Sequence, residues 1–392
     1  MRIGIDVTSA LTQGGGIGRY TRELVRALTA LDGRSTYHLF AARQTGPTAV
    51  PDPLPTGPNV QFHAAPVDER WLYRLWYRLR FPAPVQWVTG PLDLFHSPDF
   101  VLPPVGGGIP TLLTVHDLSF VHYPQVYPAA LVSYLNRVVP WSIRRASHVL
   151  ADSAATKADL MAVWQVPADK ITVLYSGVNA QFQPVTEPEV LTAVSTRYHL
   201  GDAPYLLTVG TVQPRKNYQM LIRAFAPVAA AWPHHLYIAG GKGWLYDDMM
   251  AEVERQGLNG RVHFLGFVAD EDLPALYSGA TLFLFPSLYE GFGLPLLEAM
   301  QCGVPVVTSN ASSLPEVVGG GRESGGETAV LLSPHDQSAW TTAMQELLAD
   351  PARRAHLVAA GFRQARQFTW QKAAAQLLHL YRSLKEPLPL RF

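Results

Sequence analysis

Short apolar runs alternate along the whole chain with longer stretches in which apolar residues recur every three or four positions. The first kind reads as strands buried on both faces, the second as amphipathic helices. In the first half, strands are predicted at 3–9 (IGIDVTS), 37–42 (YHLFAA), 60–66 (VQFHAAP), 92–98 (LDLFHSP), 111–119 (TLLTVHDLS) and 147–153 (SHVLADS). A helix after the first strand carries Ile17, Tyr20, Leu24, Leu28 and Leu31 on one face. Residues 45–58, rich in Pro and Gly, read as a loop. The second half repeats the scheme, with strands at 205–210, 235–240, 262–267, 281–285, 304–309 and 329–334 and a clear helix over 217–232. Such alternation predicts an α/β chain of two doubly wound, Rossmann-like parallel-sheet domains. The polar stretch holding Pro184 and Pro188 marks the boundary. The expected division is a domain over 1–180, a linker over 181–203, a second domain over 204–369 and a closing amphipathic helix within 370–392. Sheets of this kind bind ligands beyond the carboxyl ends of their strands, so one site in a cleft between the domains is expected.

Composition narrows the class. A chain of 392 residues suits two domains, and 48% hydrophobic against 16% charged residues supplies ample core. Zero formal charge and a pI near 7.2 ask for no nucleic acid or polyanion. The one cysteine, Cys302, excludes a disulfide framework and a Cys-based metal site, and reads as a small buried residue at a helix end. Met1-Arg2 leads directly into a strand, with no signal peptide, and no apolar run approaches the ~18 residues needed to span a bilayer. A cytoplasmic protein is expected. The segment RWLYRLWYRLR (70–80), drawn as a helix, places Trp71, Leu72, Leu75, Trp76 and Leu79 together. It reads either as a helix packed on the N-terminal sheet with snorkelling arginines, or as a peripheral contact with the inner face of the plasma membrane.

Candidate chemistry concentrates in residues 285–305. Glu290 falls in a loop after the run TLFLFP (281–286), and Glu298 falls inside a helix over 293–301, within a stripe of Leu294, Leu297 and Met300. A carboxylate so placed is usually paired or bound to something, which opposes reading both as solvated acids. Gly291 and Gly293 leave amides uncovered at a helix N-terminus, where phosphate or a polar sugar group can bind. Arg215 and Lys216 follow the strand at 205–210 and precede a helix; two cations there form a diphosphate clamp, whereas a solvated basic pair would oppose the helix dipole. The glycine-rich loop Gly14–Gly18 also precedes a helix. A dinucleotide fingerprint is opposed by the distance from Val7, by the spacing GGGIG and by the absence of an acid ending YHLFAA. A phosphate cradle and a plain flexible loop both stay open. Asp270, Glu271 and Asp272 read as helix-capping acids, not metal ligands.

The strings EGFGLPLLEAM (290–300), with its E-x7-E spacing, and GTVQPRKN (210–217) resemble the retaining, metal-independent family 4 glycosyltransferases of the GT-B fold. The likeness covers nearly the whole chain and is strongest from Tyr205 to Val318. It implies two Rossmann-like domains facing each other across a cleft, acceptor bound by the first and nucleotide-sugar donor by the second, with the closing helix crossing back to the first. It implies that Arg215 and Lys216 bind the donor diphosphate, with Gly15, Gly16 and Gly210 nearby. Glu290, with main-chain groups of Gly291, Phe292, Gly293 and Leu294, then holds sugar hydroxyls, and Glu298 the ribose. The main chain at Phe267 and Val268 meets the base. His116 contacts the transferred sugar, and Asp117 orients it or caps the next segment. Gly18, Asp152 and Ser153 lie on the acceptor side, Ser153 being equally a helix N-cap. Gln213 departs from the family's usual Glu, with little expected of the change.

The implied activity is hexosyl transfer from a nucleoside diphosphate sugar to a saccharide or lipid-linked acceptor in bacterial glycan biosynthesis, with no metal and no cofactor. No side chain acts as a covalent nucleophile; the acceptor attacks from the front face and the leaving phosphate takes its proton. The strings GGGIGRYT and SNASSLPEV lean toward mannose from a GDP donor, with UDP sugars open. The other readings are a nucleotide-sugar epimerase and a catalytically silent nucleotide-sugar-binding protein. A pyridoxal phosphate phosphorylase is opposed by the short chain and the lack of a late strand-end lysine.

Overall fold

The computed structural model describes residues 1–44, 54–243, 246–320 and 327–385; the predicted loop at 45–58 lies outside them over 45–53. The chain forms two units. The first holds Met1–His122, Pro128–Gly177 and the C-terminal stretch from Thr369; the second holds Tyr123–Tyr127 and Val178–Phe368.

In the first unit seven strands form one parallel sheet: β1 (Arg2–Asp6), β2 (Thr36–Ala41), β3 (Val60–Ala64), β4 (Leu94–Ser97), β5 (Thr111–Val115), β6 (His148–Ala151) and β7 (Ile171–Val173). Their order is β3-β2-β1-β4-β5-β6-β7. The strand order therefore reverses between β1 and β4. The helix Ile17–Leu31 lays Tyr20, Leu24 and Leu28 on this sheet. The helix Trp370–Lys385 packs beside it, burying Trp370, Leu377 and Tyr381 in the same core. The Tyr381 hydroxyl meets His96 Nδ1 at 2.7 Å, and His96 Nε2 meets the Thr114 hydroxyl at 2.9 Å.

The second unit repeats the plan with six parallel strands: β8 (Tyr205–Val209), β9 (His235–Ala239), β10 (Val262–Gly266), β11 (Leu282–Phe285), β12 (Val306–Ser309) and β13 (Val330–Leu332). Their order is β10-β9-β8-β11-β12-β13, so the reversal lies between β8 and β11. Apolar side chains alternate onto two cores, one on each face of the sheet.

Several elements depart from the sequence reading. The stretch 181–203 contains a helix, Pro188–Arg197, and its Val194 and Leu200 join a core of the second unit. A short helix, Thr8–Thr12, intervenes between β1 and the glycine-rich loop. The segment 70–80 does not keep one apolar face. The helix Glu69–Tyr73 runs into a π-helical turn, Arg74–Arg78. Leu72 and Trp76 turn inward, while Trp71 is 52% and Leu79 is 70% exposed. Asp272 precedes the helix Leu273–Ser278 without a side-chain cap bond. Its carboxylate instead accepts from Arg197 and the Tyr198 hydroxyl, both at 2.7 Å. Among the described residues no helix is long and apolar enough to cross a membrane.

Candidate active site

Two neighbouring strands at the reversal of the second sheet, β8 and β11, position the main cluster. After β8 the chain passes Gly210 and makes a tight turn, Pro214–Lys216, into the helix Tyr218–Ala231. Asn217, in left-handed conformation, ties this turn to the strand ends: its amide donates to the Pro286 carbonyl at 3.2 Å and to the Pro334 carbonyl at 2.7 Å. Arg215 and Lys216 are consequently buried, and so is Glu290 in the loop after β11. The Lys216 ammonium lies 2.6 Å from Glu290 Oε1, and an Arg215 nitrogen lies 2.7 Å from Glu290 Oε2. Arg215 also donates to the Tyr289 carbonyl, and the Lys216 ammonium sits 4.6 Å from the Phe285 ring centroid. Burial opposes the Glu290 charge, but Arg215 and Lys216 overcome it and hold the carboxyl down at about 2. Two cations and one carboxylate leave a net positive, largely dry group facing the end of the sheet.

The loop that carries Glu290 is fixed by two serines. Ser312 Oγ accepts the Glu290 amide at 2.8 Å, and Ser313 Oγ donates to the Glu290 and Phe292 carbonyls at 2.9 and 2.8 Å. Phe292 packs against Phe368. At Gly293 φ is +116°, and a Cβ would stand 2.8 Å from Leu314 Cδ2, so any other residue is strained between this loop and the helix Leu294–Gln301. Glu298, buried inside that helix, accepts from the Tyr277 hydroxyl at 2.9 Å. Phe267, just past β10, is 70% exposed, while Val268 is buried in the core.

In the first unit, His116 directly follows β5 and Asp152 directly follows β6. His116 Nδ1 lies 2.7 Å from Asp152 Oδ2, and Nε2 lies 3.2 Å from the Pro98 carbonyl. The rings of Tyr20 and Phe100 meet the imidazole edge-on at 5.0 and 5.4 Å. Burial works against the charge on His116, but the Asp152 and Asp99 carboxylates outweigh it and raise its pKa to about 9. Both ring nitrogens face acceptors, which favours the protonated ring. Asp117 stands apart, accepting the Ser119 amide and hydroxyl at 2.8 and 2.6 Å at the start of the helix Ser119–His122. Ser153 caps the helix Ala154–Trp164, accepting the Thr156 amide at 3.0 Å. In the glycine-rich loop Gly15 and Gly16 are exposed, whereas Gly18 is buried and a Cβ there would fall 2.0 Å from the Gln13 carbonyl.

A family model described as "Glycosyl transferases group 1" matches residues 197–364, and one described as "Glycosyltransferase Family 4" matches residues 14–182. The O-antigen chain mannosyltransferase B of Escherichia coli is 33% identical over 381 residues, covering 94% of this chain and 96% of that protein. The chain belongs to the group 1 glycosyltransferases. Among solved structures it resembles sucrose-phosphate synthase from Thermosynechococcus elongatus, with a TM-score of 0.75 at 25% identity over 98% of this chain and 99% of that one. It also shares its fold with HepE of Anabaena in complex with UDP and glucose, with a TM-score of 0.71 at 20% identity over 98% of this chain and 100% of that one. The fold of this glycosyltransferase is thus GT-B, two parallel-sheet α/β domains, and the enzyme is a hexosyltransferase.

Three supporting residues of this glycosyltransferase escape sequence reasoning. Arg22 is buried and donates to the carbonyls of Ala10, Gln13 and Gly14 at 2.9, 2.8 and 2.8 Å, pinning the glycine-rich loop from behind. These bonds hold the Gly14 end of the loop. The signal was available: an arginine on the inward face of the helix Ile17–Leu31. Ser312 and Ser313 gave no such signal, because their partners are main-chain groups about 20 residues away.

Proposed function

We propose that this enzyme moves a hexose from a nucleoside diphosphate donor to a saccharide or lipid-linked acceptor, with retention of anomeric configuration and without a metal ion. The observation that carries the reading is the buried Arg215–Lys216–Glu290 group at the reversal of the second sheet, the point where such sheets bind ligands. As the anomeric C–O bond breaks, negative charge collects on the diphosphate, and two fixed cations in a dry site stabilise it. Glu290, which neutralises those cations in the free enzyme, yields them to the diphosphate and turns to sugar hydroxyls, with main-chain groups of Gly291–Leu294 alongside. Glu298 serves the ribose, and the main chain at Phe267 and Val268 the base. The acceptor oxygen bonds the anomeric carbon on the face the diphosphate leaves, and its proton passes to the leaving phosphate. In the first unit, His116 contacts the transferred sugar, and Gly18, Asp117, Asp152 and Ser153 belong to the acceptor side.

Mannose is the proposed sugar and GDP the proposed carrier, supported by the mannosyltransferase matched over almost its full length. UDP is the competing carrier, supported by the UDP complex of HepE. A lipid-linked acceptor would bring the chain to the cytoplasmic membrane face, where exposed Trp71, Leu79 and Trp87 beside Arg70 and Arg78 suit an anionic surface. Transfer from GDP-mannose and UDP-glucose in excess EDTA, with the product's anomeric configuration read by NMR, tests the reading. A product with the donor's configuration is expected. An inverted product, or activity lost in EDTA and restored by Mg²⁺ or Mn²⁺, would overturn it.

A further inference from the structure

The segment that carries Glu290 is irregular, yet side chains hold its main chain at almost every step. From Phe285 to Glu290 the carbonyls accept, in order, from Thr308, Asn217, Ser309, Tyr123, Arg215 and Ser313. Tyr123 lies in the stretch Tyr123–Tyr127 of the second unit, and its hydroxyl reaches the Leu288 carbonyl at 3.3 Å. Two amides are tied as well: Leu288 donates to the Arg215 carbonyl at 2.9 Å, and Glu290 to Ser312 Oγ at 2.8 Å. A helix or a strand pair satisfies its main chain through regular ladders; here the partners come one at a time from distant residues.

Four of those partners stand in one short run, at the end of β12 and just beyond it: Thr308, Ser309, Ser312 and Ser313. Two of them forgo the ordinary chemistry of their positions. Ser313 precedes the helix Leu314–Val317, but its hydroxyl makes no cap bond there. It turns instead to the Glu290 and Phe292 carbonyls at 2.9 and 2.8 Å, sharing its one hydrogen between them. Ser312 is held at φ +48°, a left-handed conformation that glycine adopts freely and serine only under strain. Glycine would relieve that strain but bring no oxygen to the Glu290 amide. In the proposed reaction Glu290 leaves Arg215 and Lys216 for sugar hydroxyls. Its amide and carbonyl are both tied to serine hydroxyls, so that exchange falls to the side-chain torsions.

We infer that Ser312 and Ser313 are positioning residues for transfer: they preset the main chain at Glu290, which changes partners by turning its side chain while the loop stays still. The assignment rests on the role proposed above for Glu290 and adds what aims that residue.

The test compares the full chain with Ser312→Gly and Ser313→Ala. Melting, calorimetric binding of GDP and UDP, and release of nucleotide from GDP-mannose and UDP-glucose to water are measured on each. Ser312→Gly is expected to melt no lower than wild type, because the strain is gone. It should bind nucleotide within about twofold of wild type while kcat falls at least about tenfold and KM changes little, as for a group that matters only in the transition state. Ser313→Ala should show the same split between kcat and KM. Hydrogen exchange of peptides covering 285–293 follows the loop itself. In wild type, nucleotide should protect the loop no more than it protects β11, and in both variants the loop should exchange faster. Extra protection of the loop on nucleotide binding would mean that it closes on the donor and would overturn the inference. So would full turnover in both variants, or turnover lost only in step with nucleotide affinity. A wild type that neither binds nor releases nucleotide would sink the donor reading itself, whereas wild-type turnover with unaffected variants would sink the positioning role alone.

Discussion

Glu290 does two things that a single residue can do only in turn. In the structure it pairs with Arg215 and Lys216 at 2.7 and 2.6 Å; in the proposed reaction those cations serve the diphosphate. Glu290→Gln therefore removes a carboxylate that pairs with two buried cations. Breaking a buried pair costs about 3–5 kcal/mol, and a ligand that replaces the anion returns stability by mass action. The variant should melt lower than wild type, regain most of the difference with saturating nucleotide, and lose transfer by about a hundredfold or more. Thermal scans with and without GDP and UDP check this; a variant that melts and turns over like wild type removes Glu290 from the site. His116 gives a pH signature. Its ordinary pKa is 6.5 and its folded value is about 9, so the pair with Asp152 contributes fully below pH 6.5 and is lost as pH rises through 9. Urea midpoints should fall across that window in wild type and fall less in His116→Asn. A parallel slope in both would assign it elsewhere. At this scale the sequence was legible where a charge interrupts an apolar stripe, as at Glu298, and where two cations stand at a helix start, as at Arg215–Lys216. It was silent on Asp272, whose partners Arg197 and Tyr198 lie more than 70 residues away, so local capping looked sufficient.

Among elements, the loops after strands decide the site, and their shape hangs on few residues. Gly293→Ala must hold φ near +116° and push Leu314 aside, a strain of about 1–3 kcal/mol. The predicted outcome is a folded protein, less stable by that order, with transfer reduced because the Glu290 loop shifts; undiminished transfer at full stability would contradict it. Strands were legible because both faces of a parallel sheet are covered, which makes each an unbroken apolar run. Their ends were overrun, since apolar character continues into the turns that carry His116 and Asp152. β7 is only three residues long and stood below that signal. The helix Pro188–Arg197 buries only Val194 among its residues, too little periodicity to stand out from a polar connector. In the segment 70–80 the α-helical period failed because the π-helical turn changes which residues face inward.

For the whole molecule, the C-terminal helix Trp370–Lys385 is part of the first unit's core, although it follows the second unit in sequence. Trp370, Leu377, Leu378 and Tyr381 are buried there, and each such side chain contributes roughly 1.5–3 kcal/mol. A chain ending before Trp370 should fail to fold its first unit while the second retains protease-resistant structure. Full cooperative unfolding of the shortened chain would contradict that. The amphipathic pattern of the helix was readable from the residues, whereas its crossing back to the first unit came only from the family resemblance, because periodicity names a buried face and not what covers it. The central claim concerns the second unit: two buried cations, kept together by Glu290, bind a nucleoside diphosphate without metal. The most direct measurement is calorimetric titration of GDP and UDP, in EDTA, into wild type, Arg215→Ala and Lys216→Ala. The account predicts metal-free binding of one nucleotide to wild type and a loss of at least about tenfold in each variant. Unchanged affinity in the variants, or binding only when Mg²⁺ is added, would contradict it.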